Sequence, residues 1–285
     1  MKPAAFDYVI ADSVDGAVAA LGRGDAKIIA GGQSLVPMLN FRLLRPATLV
    51  DINRIAGLAF VREGDTAITV GALTRHRELE ASPVIARHLP VLSEAMRHVA
   101  HLAIRNRGTI GGSLSHADPA AELPMLAMLL DAQLRIVSAS GTRTAAARDF
   151  FQDALSVDLA DDEIVTEIAL PMLPAGTGWG FEEVARRSGD FALAAVAATL
   201  TLSDGVVAQA RIAVTGVAPT PRRAGAAEDM LVGTRLERAI GDDVIAAVRS
   251  IAAPETDLHA SADYRRHLVG VLAVRALEAA WRRAA

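Results

Sequence analysis

The sequence predicts an α+β chain built from two units that meet near residue 175. Three observations predict it. Before that point, short apolar runs ending in glycine or proline alternate with helical patterns. Pro174-Ala175-Gly176-Thr177-Gly178 is the best linker in the chain. After it, long strand-like runs give way to helical ones, the order of an α+β domain. With 285 residues, 52% of them apolar, the chain has material for two cores and no reason to be disordered.

The elements follow in order. Lys27-Ile28-Ile29-Ala30 is a short apolar run meeting a sharp turn at Gly31-Gly32, and Ser34 can cap a helix through Leu35, Met38 and Leu39. Leu49-Val50-Asp51-Ile52 is the next strand, with Asp51 as its turn residue. Ile68 to Leu73 is strand-like; Thr74 begins a helix with Glu78 in its first turns. Pro90 to Ala100 reads as one helix, with His98 and His101 on one face. Residues 105–112 form a loop rich in turn residues, Ala121 to Leu130 a helix, and Gln133–Ser138 and Glu163–Leu170 strands. Beyond the linker, Leu193–Leu202 and Val206–Val217 are strands joined by Ser203-Asp204-Gly205, a hairpin signal. Arg222–Leu231, Leu236–Ile251 and Tyr264–Arg283 are helical.

Composition excludes several functions. A net charge of −4 gives no electrostatic footprint for nucleic acid. The absence of cysteine excludes disulfides, thiolate zinc sites and a cysteine-held iron–sulfur cluster within the chain. No apolar run is long enough to span a bilayer, and Asp7 and Asp12 interrupt any leader-like stretch, so a cytoplasmic location is expected. His98 and His101 lack a third ligand and H-E-x-x-H is absent, so no metal site is expected. No G-x-S-x-G elbow marks a nucleophilic serine. Glu182-Glu183 and Asp161-Asp162-Glu163 read as solvated faces, because neighbours on a strand point apart.

Two paired-glycine motifs carry the chemistry: Ala30-Gly31-Gly32-Gln33-Ser34 and Thr109-Ile110-Gly111-Gly112-Ser113. Each combines glycines that let backbone approach a ligand with hydroxyl side chains and a helix start offering N–H groups, the ingredients of a phosphate cradle. Arg105 and Arg107 stand just upstream of the second, where either can neutralise phosphate charge. Neither motif matches G-x-G-x-x-G or the P-loop, and each Gly-Gly taken alone also reads as an ordinary turn.

Residues 30–39 (AGGQSLVPML), 49–53 (LVDIN), 105–124 (RNRGTIGGSLSHADPAAELP) and 181–192 (FEEVARRSGDFA) together resemble the FAD-binding medium subunit of the carbon monoxide dehydrogenase / xanthine dehydrogenase family of molybdenum hydroxylases, nearly end to end. The resemblance implies an FAD domain of the vanillyl-alcohol-oxidase (PCMH) type over 1–175, in subdomains of about 1–55 and 56–175, then a CO-dehydrogenase flavoprotein C-terminal α+β domain over 176–285. It implies that residues 30–34 and 109–113 wrap the FAD diphosphate. Glu122, with Asp118 beside it, would contact the ribityl or adenosine side; Ile164 or Val165 would lie near the strand lining the flavin ring, and Phe191 beside it. Some relatives carry a flavin-contacting lysine in the segment held here by Glu182-Glu183, and two carboxylates do not supply that charge. The implied function is electron transfer, with no catalytic acid or base in this chain. A small subunit would carry two [2Fe-2S] clusters and a large one molybdopterin, assembled as a dimer of heterotrimers. A self-contained flavin reductase on the same fold, or a non-catalytic nucleotide-binding module, are the alternatives; the first needs a proton donor that the sequence does not reveal.

Overall fold

A computed structural model describes residues 1–235 and 240–284. The chain opens with a small parallel sheet of β1 (Asp7–Ile10), β2 (Ala26–Ile29) and β3 (Thr48–Asp51), in the order β1-β3-β2. Helix α1 (Val14–Leu21) is the crossover between β1 and β2; Ser13 caps it by accepting from the Gly16 N–H. Helix α2 (Leu35–Asn40) follows the first glycine pair. Ser34 stands at its N-cap position as expected, but its hydroxyl makes no capping bond, because its backbone is already helical.

A five-stranded antiparallel sheet comes next: β4 (Val61–Glu63), β5 (Ala67–Gly71), β6 (Gln133–Ser138), β7 (Gly141–Ala146) and, returning through the middle, a later strand at Ile164–Pro171. Between β5 and β6 lie α3 (His76–Ala81), α4 (Pro83–His88), α5 (Pro90–Ala95), α6 (Leu102–Arg105), α7 (Ile110–His116) and α8 (Glu122–Leu129). Thr74 does not start α3. Its hydroxyl is tied to Phe60, and Glu78 instead accepts from the Arg75 N–H. The single helix expected over 90–100 stops at Ala95, and Ala100 turns the chain at φ 46°. His98 and His101 therefore share no helix. After β7 come α9 (Ala147–Phe150), a small hairpin of β8 (Phe151–Asp153) and β9 (Ser156–Val157), and β10, the central strand at Ile164–Pro171.

The last unit is a four-stranded antiparallel sheet in chain order: β11 (Gly178–Ala185), β12 (Ala192–Ser203), β13 (Val206–Thr215) and β14 (Arg222–Arg223). Asp204 and Gly205, both at positive φ, make the β12–β13 turn that the Asp-Gly pair predicts. Helices α10 (Gly225–Leu231), α11 (Asp242–Ser250) and α12 (Ala262–Ala284) cover one face. The start of the helix expected over 236–251 lies outside the described residues. The other face packs against the α5 and α8 side of the middle unit, so Phe181, Ala195 and Ala197 join its core while Val196, Ala198 and Leu200 join that of α11 and α12. Buried on both faces, β12 reads Ala-Leu-Ala-Ala-Val-Ala-Ala without alternation. Gly180 lets β11 lie directly on α12, since a Cβ there would collide with the Ala276 carbonyl. Polar clamps hold this seam: Thr215 donates to the Pro119 carbonyl at 2.8 Å, and Arg223 to that of Met128 at 3.2 Å.

Candidate functional site

The first glycine motif, far away in sequence, touches the segment that leads into the second. A Cβ on Gly31 would collide with the Arg107 carbonyl oxygen and lie 2.9 Å from the Gly108 Cα, so only glycine lets the chains pass. Arg75 spans the same junction. It donates to the Arg107 carbonyl and, at 2.6 Å, to Asn53 Oδ1. Asn53 in turn donates to the Ala30 carbonyl at 2.8 Å and to Asp51 at 2.6 Å. Burial and the nearby Arg107 charge both lower the pKa of Arg75. The Arg75 guanidinium thus lies at the junction and feels the positive charge of Arg107, an arrangement that favours an anion.

The motifs are not equivalent. Among the described residues, none accepts a hydrogen bond from the N–H groups of Gly31, Gly32, Gln33 or Ser34, and Gly32 turns at φ 74°. That is an open row of donors in a concave turn. Residues 109–113 are not a loop, as the sequence suggested, but the cap and first turn of α7. Thr109 is its N-cap, accepting from Gly112 N–H at 3.1 Å. Ile110 N–H goes to Thr74, Gly111 N–H to Ala72 and Ser113 N–H to Thr109. The second motif offers Ser113 and a close backbone face rather than free donors. Its Gly111 is needed for packing, a Cβ there lying 2.6 Å from that of Ala72.

Arg105 is not the phosphate partner its position suggested. Its guanidinium is engaged by Glu80 at 3.0 Å and by the Val99 and Ala100 carbonyls. Asp118 accepts from the Ala120 N–H, closing a turn before α8. Ile164 and Val165 are both buried, Ile164 in the core of the parallel sheet and Val165 in that of the middle unit, so only their backbone is available to a ligand. Phe191 is 63% exposed, just before β12. His76, which the sequence gave no reason to notice, lies buried behind the second motif. Burial holds its pKa down at about 4, neither ring nitrogen finds a partner among the described residues, and a Cβ on Gly108 would come 2.8 Å from the ring.

The reading of Glu182-Glu183 as two solvated carboxylates fails for one of them. Neighbours on β11 do point apart, but this sends Glu183 to the side of Phe181, into the seam, where its side chain is 4% exposed. There it meets Glu122, itself buried at the first position of α8. Burial drives both carboxyls up from their ordinary range, and a hydrogen bond between them favours the proton on Glu122. The signal was in the sequence: period two places Trp179, Phe181 and Glu183 on one face. Glu163 is also taken out of solvent, held at 2.7 Å by Arg143.

Comparison with known proteins places the chain in a family. The family described as "FAD binding domain in molybdopterin dehydrogenase" matches residues 4–173, and "CO dehydrogenase flavoprotein C-terminal domain" matches 179–280. The chain is 45% identical over its full length to the 6-hydroxypseudooxynicotine dehydrogenase complex subunit alpha of Paenarthrobacter nicotinovorans, covering 97% of that protein. It is 38% identical to the carbon monoxide dehydrogenase medium chain of Hydrogenophaga pseudoflava, with both chains fully covered. A solved structure of carbon monoxide dehydrogenase from the same organism superposes with a TM-score of 0.97 at 40% identity, covering 100% of both chains. The chain belongs to the family of FAD-binding medium subunits of molybdenum hydroxylases.

Proposed function

We propose that this chain relays electrons through its FAD between iron–sulfur clusters on a small partner subunit and an external acceptor, while a large molybdopterin subunit oxidises the substrate. The observation that carries the reading is the open row of N–H groups at Gly31, Gly32, Gln33 and Ser34, with the Arg75 guanidinium at the same junction. It suits a diphosphate, and a partly buried anion gains up to about 2 kcal/mol from such donors. The proposed cofactor-binding set is Ala30 to Ser34, Thr109 to Ser113, Asp118, Glu122, Ile164 or Val165 through backbone, and Phe191. Within it, Ser113 offers a hydroxyl, and Thr109 also caps α7 by accepting from the Gly112 N–H. FAD, when bound, supplies the redox chemistry; the chain's own residues bind and orient it and tune it electrostatically. Residues 1–175 form the FAD domain in this reading, with subdomains parting near residue 55, and residues 176–285 the C-terminal domain.

Support for the partners is the name of each relative: a subunit or medium chain of a dehydrogenase. Among the described residues no helix is long and apolar enough to cross a membrane. Native purification should yield a yellow complex containing one small cysteine-rich chain and one large chain, with a mass fitting a dimer of heterotrimers. A colourless monomer that takes up no FAD would overturn the reading.

A further inference from the structure

The seam between the middle unit and the C-terminal sheet contains two carboxyl groups facing each other with no cation between them. Glu122 reaches it from α8 and Glu183 from β11. Among the described residues no lysine or arginine pairs with either, and unless Glu122 is protonated no group donates to the buried Glu183 Oε2. The charged neighbours are few. Asp118, in the turn before α8, adds negative charge near Glu122. On the far side His98, in the segment after α5, holds its Nδ1 4.0 Å from Glu183 Oε1 and packs its ring on Phe181 at 4.9 Å between centroids. Burial lowers the pKa of His98, while Glu94 and Glu182 pull it up and Arg97 pushes it down. His116, at the end of α7, has Asp118 as its charged neighbour. Two carboxylates in such a place cannot both ionise without leaving a desolvated, uncompensated charge.

We propose that Glu122 and Glu183 share one proton across this seam, forming a proton-binding site that ties the C-terminal sheet to the α8 side of the molecule. The exchange is a simple ionisation: the Glu122 O–H bond breaks, its electron pair stays on the carboxylate, and the proton leaves for solvent. Two facing anions then remain in the seam. The site rests on this chain's own residues and stands whether or not the assignment of the FAD diphosphate to residues 31–34 is right.

The sign of the effect follows from linkage. Both carboxyls hold their protons more tightly in the folded chain than in the unfolded one, so the folded state binds more protons between the ordinary value of 4.5 and about 8. The pair's stabilisation is complete below that window and is lost as pH rises through it. The experiment compares thermal unfolding of the full chain freed of FAD, so that a change in cofactor affinity at Glu122 does not enter, between about pH 5 and about pH 8 for wild type, E183Q and E122Q/E183Q. Wild type should lose at least about 4 °C more of its Tm across the window than E122Q/E183Q, with E183Q between them. Infrared spectra of the folded wild type near neutral pH should show a protonated-carboxyl carbonyl band that E122Q/E183Q lacks. This second readout does not depend on how well either variant folds. A wild-type pH profile parallel to that of E122Q/E183Q, or a neutral-pH spectrum without the band, overturns the proposal.

Discussion

At Gly31 and Gly32 two different reasons demand glycine. Gly31 is needed because Arg107 passes too close for any side chain, Gly32 because the backbone turns at φ 74° while presenting its N–H. Gly31→Ala should push the two motifs apart and raise the Kd for FAD at least about tenfold, a change of 1.4 kcal/mol, with the fold retained. Gly32→Val should abolish FAD retention, since a β-branched residue strains the turn itself. Flavin absorbance after gel filtration measures both, and full flavin content in either variant would remove that glycine from the cradle. Arg75 adds a third case. Losing it by Arg75→Ala frees the Arg107 carbonyl and Asn53 together, and should weaken FAD binding where Arg75→Lys only partly restores it, because one ammonium cannot reproduce a forked contact. Titration of the apo chain with FAD reads that order directly. The glycines were legible in the sequence because their type announces backbone need. Arg75, Asn53 and His76 were not: their roles exist only once two distant motifs meet.

The elements show where local pattern is sufficient and where it fails. The hairpin at Asp204-Gly205, helix α8 and strands β3, β5 and β6 are set by turn chemistry and periodicity, and the sequence reading finds them within a residue or two. The tract from residue 90 to 116 is different. Its helices are four to seven residues long, too short for a periodic signal, and the packing of α5 through α7 decides where each one stops. That is why an eleven-residue helix was expected where six residues form one, and a loop where α7 begins. Strand β12 carries the sharpest expectation at this scale. Ala197 is fully buried and points at the middle unit, so Ala197→Leu inserts three carbons into a closed seam. It should cost about 1–3 kcal/mol, seen as a lower urea midpoint at unchanged slope. A midpoint equal to wild type would show that the sheet face has slack.

Across the whole molecule, the seam between the last sheet and α8 does what no single unit does. It brings Thr215 to Pro119, Arg223 to Met128 and Glu183 to Glu122, and none of these pairings has a local sequence signature. The two-unit organisation was visible from composition and linker residues; the closeness of the units was not, because it depends on alanines that look unremarkable one at a time. The open donors at residues 31–34 have an effect at this scale too. A ligand that satisfies them only in the folded chain is coupled to folding by mass action, whatever else it does. With FAD at a hundred times its Kd the folded state should gain about 2.7 kcal/mol, and the Tm should keep climbing with each further tenfold rise in concentration. In the cell, the survival of newly made chains would then follow the flavin supply, so that a shortage of the cofactor appears first as a loss of protein rather than as an accumulation of inactive subunit.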